Sequence, residues 1–216
     1  MIVLKYLCCG LVGYLIGTIN PAFFFGKIRG IDIKKEGSGN AGASNALILF
    51  GKLRGILCAL IDIAKAFLVV FVMQKIFPGL KLVFSITSVA CILGHIFPFY
   101  MKFKGGKGLA CLGGVLLCFD WRFFLIALAA ELVLVLIVDY ICIVPMSASI
   151  FIPIGYGIMR QDIWGTLILF IATLVIWLKH MENISRIRKG TEVHLSFLWN
   201  KDKEIQRISQ KIDNDK

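Results

Sequence analysis

The chain has 216 residues, of which 58% are hydrophobic and only 17% charged, and its mean hydropathy is +0.84. Soluble domains run at about 45–50% apolar and about 25% charged, so the composition excludes an ordinary water-soluble globule, and the apolar excess excludes a disordered chain. The net charge of +11 in so apolar a chain points to cytoplasmic loops on anionic membrane lipid rather than to nucleic acid, and it also suits a polyanionic substrate.

Seven stretches read as membrane helices, at 6–26, 53–77, 82–101, 106–119, 123–138, 140–159 and 163–178. A spanning helix needs about 20 mostly apolar residues, so the fourth is short and reads as tilted or partly re-entrant. The first runs on past Asn20-Pro21 to Lys27 without a small-residue cleavage site, and reads as a span rather than a removed signal. The second spans if Asp62 and Lys65, three residues apart on one helix face, pair inside the protein. Glu131, in the fifth, has no partner legible in the sequence.

An odd number of spans puts the termini on opposite sides. The segments sharing one face hold 18 of the 24 Lys and Arg, the other face holds five, and Lys65 is intramembrane. The positive-inside rule therefore places the N-terminus outside and the C-terminus in the cytoplasm. The expected fold is all-α: one transmembrane domain over 1–200 with seven helices, and a polar cytoplasmic tail over 201–216 that reads as a frayed helix or as disordered. All seven cysteines lie in apolar stretches, without CxxC or zinc spacing, and read as buried small hydrophobes. No metal site and no cofactor are expected.

Three polar clusters fall on the basic face. The first loop contains Gly37, Ser38, Gly39, Asn40, Gly42, Ser44 and Asn45. Glycine permits close backbone approach, and successive free N–H groups cradle anions; the alternative is a flexible turn with a helix N-cap at Ser44 or Asn45. The second loop contains Lys104, Gly105, Gly106, Lys107 and Gly108 ahead of a helix. That order suits a phosphate, though no Walker A pattern is present; the alternative is a basic membrane-proximal anchor. His95, just upstream, is either an inward-facing site residue or a core histidine with one hydrogen bond. The third cluster follows the last span: Lys179, His180, Glu182, Asn183 and Arg186. His180 and Asn183 share a helix face, and Glu182 and Arg186 are spaced to pair. HxxxxD, GxSxG and HExxH are absent.

Taken in order, these motifs resemble the bacterial acyl-phosphate:glycerol-3-phosphate acyltransferases, the PlsY family. The resemblance covers roughly residues 10–192. It is carried by Gly37-Ser38-Gly39-Asn40-Ala41-Gly42-Ala43-Ser44-Asn45, by Asp62 and Lys65, by Gly94-His95 with Phe103-Lys104-Gly105-Gly106-Lys107-Gly108, and by His180, Glu182-Asn183-Ile184, Arg186 and Gly190-Thr191-Glu192. It implies a multi-pass enzyme of the bacterial cell membrane with a cytoplasm-facing site. That enzyme would transfer a fatty acyl group from fatty acyl phosphate to glycerol 3-phosphate, giving lysophosphatidate and phosphate. The resemblance puts Ser38, His180 and Asn183 at the catalytic centre. It has the glycines around Lys107 hold glycerol 3-phosphate, with Gly39, Asn40, Ser44, Asn45, His95 and Lys104 in the substrate-binding set and Glu182 in a supporting role. The sequence departs from the family pattern at Ile48, where an Arg is usual, and at Pro145, where a Ser is usual. Two other readings stand beside this one: a relative with a different phosphorylated acceptor, and a membrane carrier without enzymatic activity.

Overall fold

A computed structural model describes residues 1–214. Among these the chain is helical throughout: α1 (Ile2–Thr18), α2 (Pro21–Ile28), α3 (Ala43–Phe50), α4 (Lys52–Ile76), α5 (Val83–Ile96), α6 (Leu109–Phe119), α7 (Trp121–Val138), α8 (Ile143–Arg160), α9 (Ile163–Arg188) and α10 (Lys201–Asn214), with short 3-10 turns at Phe99–Met101 and Leu195–Leu198. An isolated antiparallel bridge joins Tyr140 to His194. Six segments are long and apolar enough to cross a membrane: Ile2–Ile28, Lys52–Ile76, Val83–Met101, Trp121–Val138, Ile143–Arg160 and Ile163–Arg188. The remaining expected span, 106–119, is α6. It has 11 residues, about 16 Å at about 1.5 Å per residue, against a hydrocarbon core of about 30 Å.

The first span is broken. Pro21 has no N–H to continue α1, and Asn20 starts α2 by accepting a hydrogen bond from Phe23 N (2.8 Å). Carbonyls at the break find distant donors: Tyr100 Oη reaches Thr18 O (2.6 Å), and Lys65 Nζ reaches Ile19 O.

Helices in lipid gain little from hydrophobic association, so close backbone packing matters more. α1 and α5 meet through glycines: a Cβ on Gly13 would sit 2.8 Å from Thr87 O, one on Gly17 would overlap Cys91 O, and one on Gly94 would overlap Tyr14 O. Gly114 of α6 lies against Ile63 O of α4 in the same way. The interior between them is filled by Val70, Cys91, Ile92, Val115 and Ile176, all fully buried. Glu131 accepts a hydrogen bond from Ser147 Oγ (2.7 Å), tying α7 to α8.

Contacts sort the connecting segments into two ends. At one end Gly42 packs on Gly106, Lys107 bonds Asn183, Cys142 lies against Glu192, and Leu195 N donates to Asp139 O (3.0 Å). At the other, Lys5 lies 5.9 Å over the Phe77 ring, Phe119 packs on Phe84 and Tyr156, and Arg160 lies 5.5 Å over Phe119. α6 starts at the first end and finishes at the second. The tail expected to be frayed or disordered forms helix α10 as far as Asn214, docked at the first end; its residues 215 and 216 lie outside the described residues.

Candidate active site

A single buried amide shapes the first loop. Asn45, in the first turn of α3, donates through Nδ2 to Ile33 O and Glu36 O (both 2.9 Å) and accepts from Ser38 N through Oδ1 (2.9 Å). Gly37 turns over it at φ +61°, where a Cβ would overlap Asn45 Oδ1. Asn20 Nδ2 donates to Ala41 O (2.8 Å) and holds the far side of the loop. The Ser38 hydroxyl is exposed and has no hydrogen bond among the described residues. Neither Ser44 nor Asn45 is the N-cap, because Gly42 occupies that position without a side-chain bond. The N–H groups of Ala43, Ser44 and Asn45 therefore have no acceptor among the described residues, as expected of an uncapped helix start.

The second loop folds back on the end of α5. Gly105 N donates to Ile96 O (3.0 Å) and Gly106 N to His95 O (3.1 Å), using carbonyls that the helix end leaves open. A Cβ on Gly105 would overlap His95 O, and one on Gly106 would overlap the His95 ring. Gly108, at φ +93°, then opens α6, again with no side-chain cap. Lys104 is exposed and Lys107 half-buried. His95 is buried, with Nδ1 3.3 Å from Asp62 Oδ1 and 3.1 Å from Lys65 Nζ. The expected Asp62–Lys65 pair is present at 2.7 Å, so His95 completes a buried triad and its ring supports Gly106. Asp62, His95 and Cys111 each place one ligand atom within 4.8 Å of the others. The Lys65 ammonium already sits among them, and a metal ion would have to displace it.

The third cluster closes the site. His180 is buried, and its Nδ1 lies 2.7 Å from Ile176 O. A carbonyl only accepts, so Nδ1 carries the proton and Nε2 of the neutral ring is left as an acceptor. Asn183 Oδ1 accepts from Lys107 Nζ, and Asn183 Nδ2 donates to Glu192 Oε1 (2.7 Å). Glu192 Oε2 accepts from Arg186 Nε (2.6 Å). Burial pushes the Lys107 ammonium below its usual pKa, and the nearby Arg186 adds to the shift. The anticipated Glu182–Arg186 pair does not form, since Glu182 is exposed and Arg186 turns to the buried Glu192.

The structure thus joins Lys107, Asn183, Glu192 and Arg186 in one chain, with His180 one turn away on α9. It sets Gly42 beside Gly106, with the Asn40 amide against Gly42. Ser38, Gly39 and Ser44 lie on the exposed rim of the first loop. Glu192 belongs to the third motif but receives no role from the sequence, although it is the only carboxylate between Glu182 and Asp202. At the two departures from the family pattern, Ile48 is half-buried, and Pro145 is buried near the start of α8. Arg54, one turn beyond α3, donates through Nη1 to Phe50 O (2.9 Å) at the end of that helix.

The family model of glycerol-3-phosphate acyltransferase matches residues 7–190. The chain belongs to that family. Similar proteins include the glycerol-3-phosphate acyltransferase of Thermotoga petrophila, 40% identical over 84% of this chain and 92% of its own length. That of Lactiplantibacillus plantarum is 33% identical over 94% of this chain and the whole of its own. A crystal structure of the integral membrane glycerol 3-phosphate acyltransferase PlsY (YgiH), in its glycerol 3-phosphate form, superposes with a TM-score of 0.82 at 28% identity, covering 89% of this chain and 96% of that one. The lysophosphatidic acid form of PlsY gives 0.79. The three ordered motifs read from the sequence lead to the same family.

Proposed function

We propose that this membrane protein transfers a fatty acyl group from fatty acyl phosphate to glycerol 3-phosphate, giving lysophosphatidate and inorganic phosphate, the first acylation of phospholipid synthesis. One observation carries the reading. Two uncapped helix starts, those of α3 and α6, converge where Gly42 abuts Gly106, beside Lys107 and Asn183. Each helix start offers free N–H groups and a positive dipole end to an anion, and the reaction brings two phosphorylated substrates together.

The α6 start, with the glycines around Lys107 and with Lys104 at the rim, takes the phosphate of glycerol 3-phosphate. The first loop, with Gly39, Asn40, Ser44 and Asn45, takes the phosphate of the donor. The acceptor hydroxyl attacks the acyl carbonyl, a new C–O ester bond forms, and the bond to the phosphate oxygen breaks. The hydroxyl proton passes to the departing phosphate, while Ser38, His180 and Asn183 orient the reacting groups. The mixed anhydride is already activated, so positioning and charge stabilisation supply the catalysis.

The same reading gives seven crossings, with α6 as the fourth. The N-terminus lies outside, and the C-terminus and the site face the cytoplasm of a bacterial cell. Residues 1–200 act as one domain with 201–216 as its cytoplasmic extension. It is supported by α6 joining the two ends of the molecule, and by the 18 Lys and Arg that the sequence assigns to the site side.

The test is an end-point assay on purified protein reconstituted in lipid, with palmitoyl phosphate and glycerol 3-phosphate and no thioester. Lysophosphatidate and phosphate are expected by mass spectrometry, and both should vanish in Ser38→Ala and His180→Ala. Folded protein that makes no product refutes this acceptor. The altered residues Ile48 and Pro145 would then direct the search to other phosphorylated acceptors. Flux across sealed vesicles without a new ester would identify a carrier.

A further inference from the structure

The geometry points to Arg207 of α10 as a positioning residue for the acyl transfer, acting through Glu192; this rests on the reaction proposed above. The matched family region ends at residue 190, and α10 lies beyond it. Arg207 nevertheless reaches back to the segment that carries Glu192. Its Nη1 donates to Gly190 O and its Nη2 to Glu192 O, both at 2.7 Å, so the guanidinium clasps the carbonyls on either side of Thr191.

The fork is itself held. Arg207 Nε and Nη2 bond the two oxygens of Glu204 (3.0 and 2.7 Å), and Glu204 Oε1 accepts from His194 N (2.8 Å). Those hydrogen bonds from Arg207 keep the Glu204 carboxyl below its usual pKa. Glu204 is 4% exposed, whereas the neighbouring Ile205 is 46% exposed. Helix α10 instead turns the Glu204 carboxylate inward, pairs it with the partly exposed Arg207, and directs the guanidinium onto two backbone carbonyls.

The far side of that segment is the site. The Glu192 backbone N–H bonds Arg186 O (3.2 Å), and its carboxylate takes Asn183 Nδ2 and Arg186 Nε. Gly190 sits at φ +68°, a turn with few side-chain constraints of its own. With Arg207 removed, the carbonyls at Gly190 and Glu192 lose their donors and the carboxylate loses its fixed origin. Asn183, the acceptor for Lys107, then loses its orientation.

The experiment uses the full-length reconstituted protein with palmitoyl phosphate and glycerol 3-phosphate. Arg207→Ala is expected to lower kcat roughly ten- to a hundred-fold, with KM for palmitoyl phosphate unchanged and an unaltered size-exclusion profile. Arg207→Lys, able to reach one carbonyl at a time, should fall between; should the alanine variant not fold, it carries the comparison alone. In a Glu192→Gln background the Arg207 substitution should cost no more than about two-fold, because both act along one path. Losses that multiply in the double variant overturn the inference, as does wild-type kcat in Arg207→Ala. Wild-type protein that makes no lysophosphatidate overturns the reaction itself. Wild-type turnover with an indifferent Arg207 overturns only the role of α10.

Discussion

Replacing Asn183 by aspartate keeps its shape and reverses half of its chemistry. The amide accepts from Lys107 through Oδ1 and donates to Glu192 through Nδ2 at 2.7 Å. With Asn183→Asp, the oxygen facing Lys107 stays, but a second carboxylate oxygen now faces Glu192 Oε1. A charge-assisted hydrogen bond of about 1.5–3 kcal/mol is lost. Two carboxylates at that distance do not both ionise, so one takes up a proton at further cost. The sum is roughly 2–4 kcal/mol, or about a 30- to 900-fold loss of kcat/KM at neutral pH. Adding Glu192→Gln should restore much of it. The new amide can donate to the new carboxylate, and its oxygen can still accept from Arg186. Initial rates of lysophosphatidate formation from reconstituted single and double variants measure the cycle. A single variant with near wild-type activity, or a double variant no better than the single, would refute the assignment of Asn183 as a donor–acceptor bridge.

Lys107 is held below its usual pKa by burial and by Arg186, and in the proposed reaction its ammonium form is the one that binds phosphate. As pH rises, that form is lost sooner than an ordinary lysine at about 10.4 would lose it. The alkaline limb of kcat/KM for glycerol 3-phosphate should begin correspondingly early, and Lys107→Arg, which stays charged, should flatten it. A limb of the same position in both proteins refutes the reading. Gly106→Ala drives a methyl into the His95 ring, which Asp62 and Lys65 hold in place. The loop must therefore move, and a loss of order a hundred-fold in activity is expected; a fully active alanine variant would show that the loop tolerates the shift.

Much of this molecule is legible in its sequence because lipid imposes simple rules. Apolar stretches mark the helices, Asp62 and Lys65 find each other at helical spacing, and the basic residues collect at the end that carries the glycine loops. What escapes is pairing across elements. The spacing of Glu182 and Arg186 is right for a pair, but an exposed pair is worth only about 0.3–0.5 kcal/mol. The buried Glu192 offers Arg186 more, six residues on and around a turn. Glu131 looks solitary because its partner, Ser147, lies on another helix. Asn45 has the side chain of an N-cap, yet it sits three residues past the cap in the first turn of α3 and reaches backwards to three backbone groups. The expected start of the fourth span at residue 106 fails because Gly105 and Gly106 bond back to α5 instead of beginning α6.

The break in the first span bears on how the protein is made. The carbonyls of Thr18 and Ile19 are satisfied by Tyr100 and Lys65, which lie 82 and 46 residues further along the chain. A nascent chain inserted from its N-terminus carries these two acceptors before their donors have been synthesised, and open carbonyls are not tolerated in hydrocarbon. The bonds that finish the first span therefore form only once the second span has brought Lys65 and the third has brought Tyr100. Assembly is in that sense retrospective: the earliest helix to emerge is among the last to be completed.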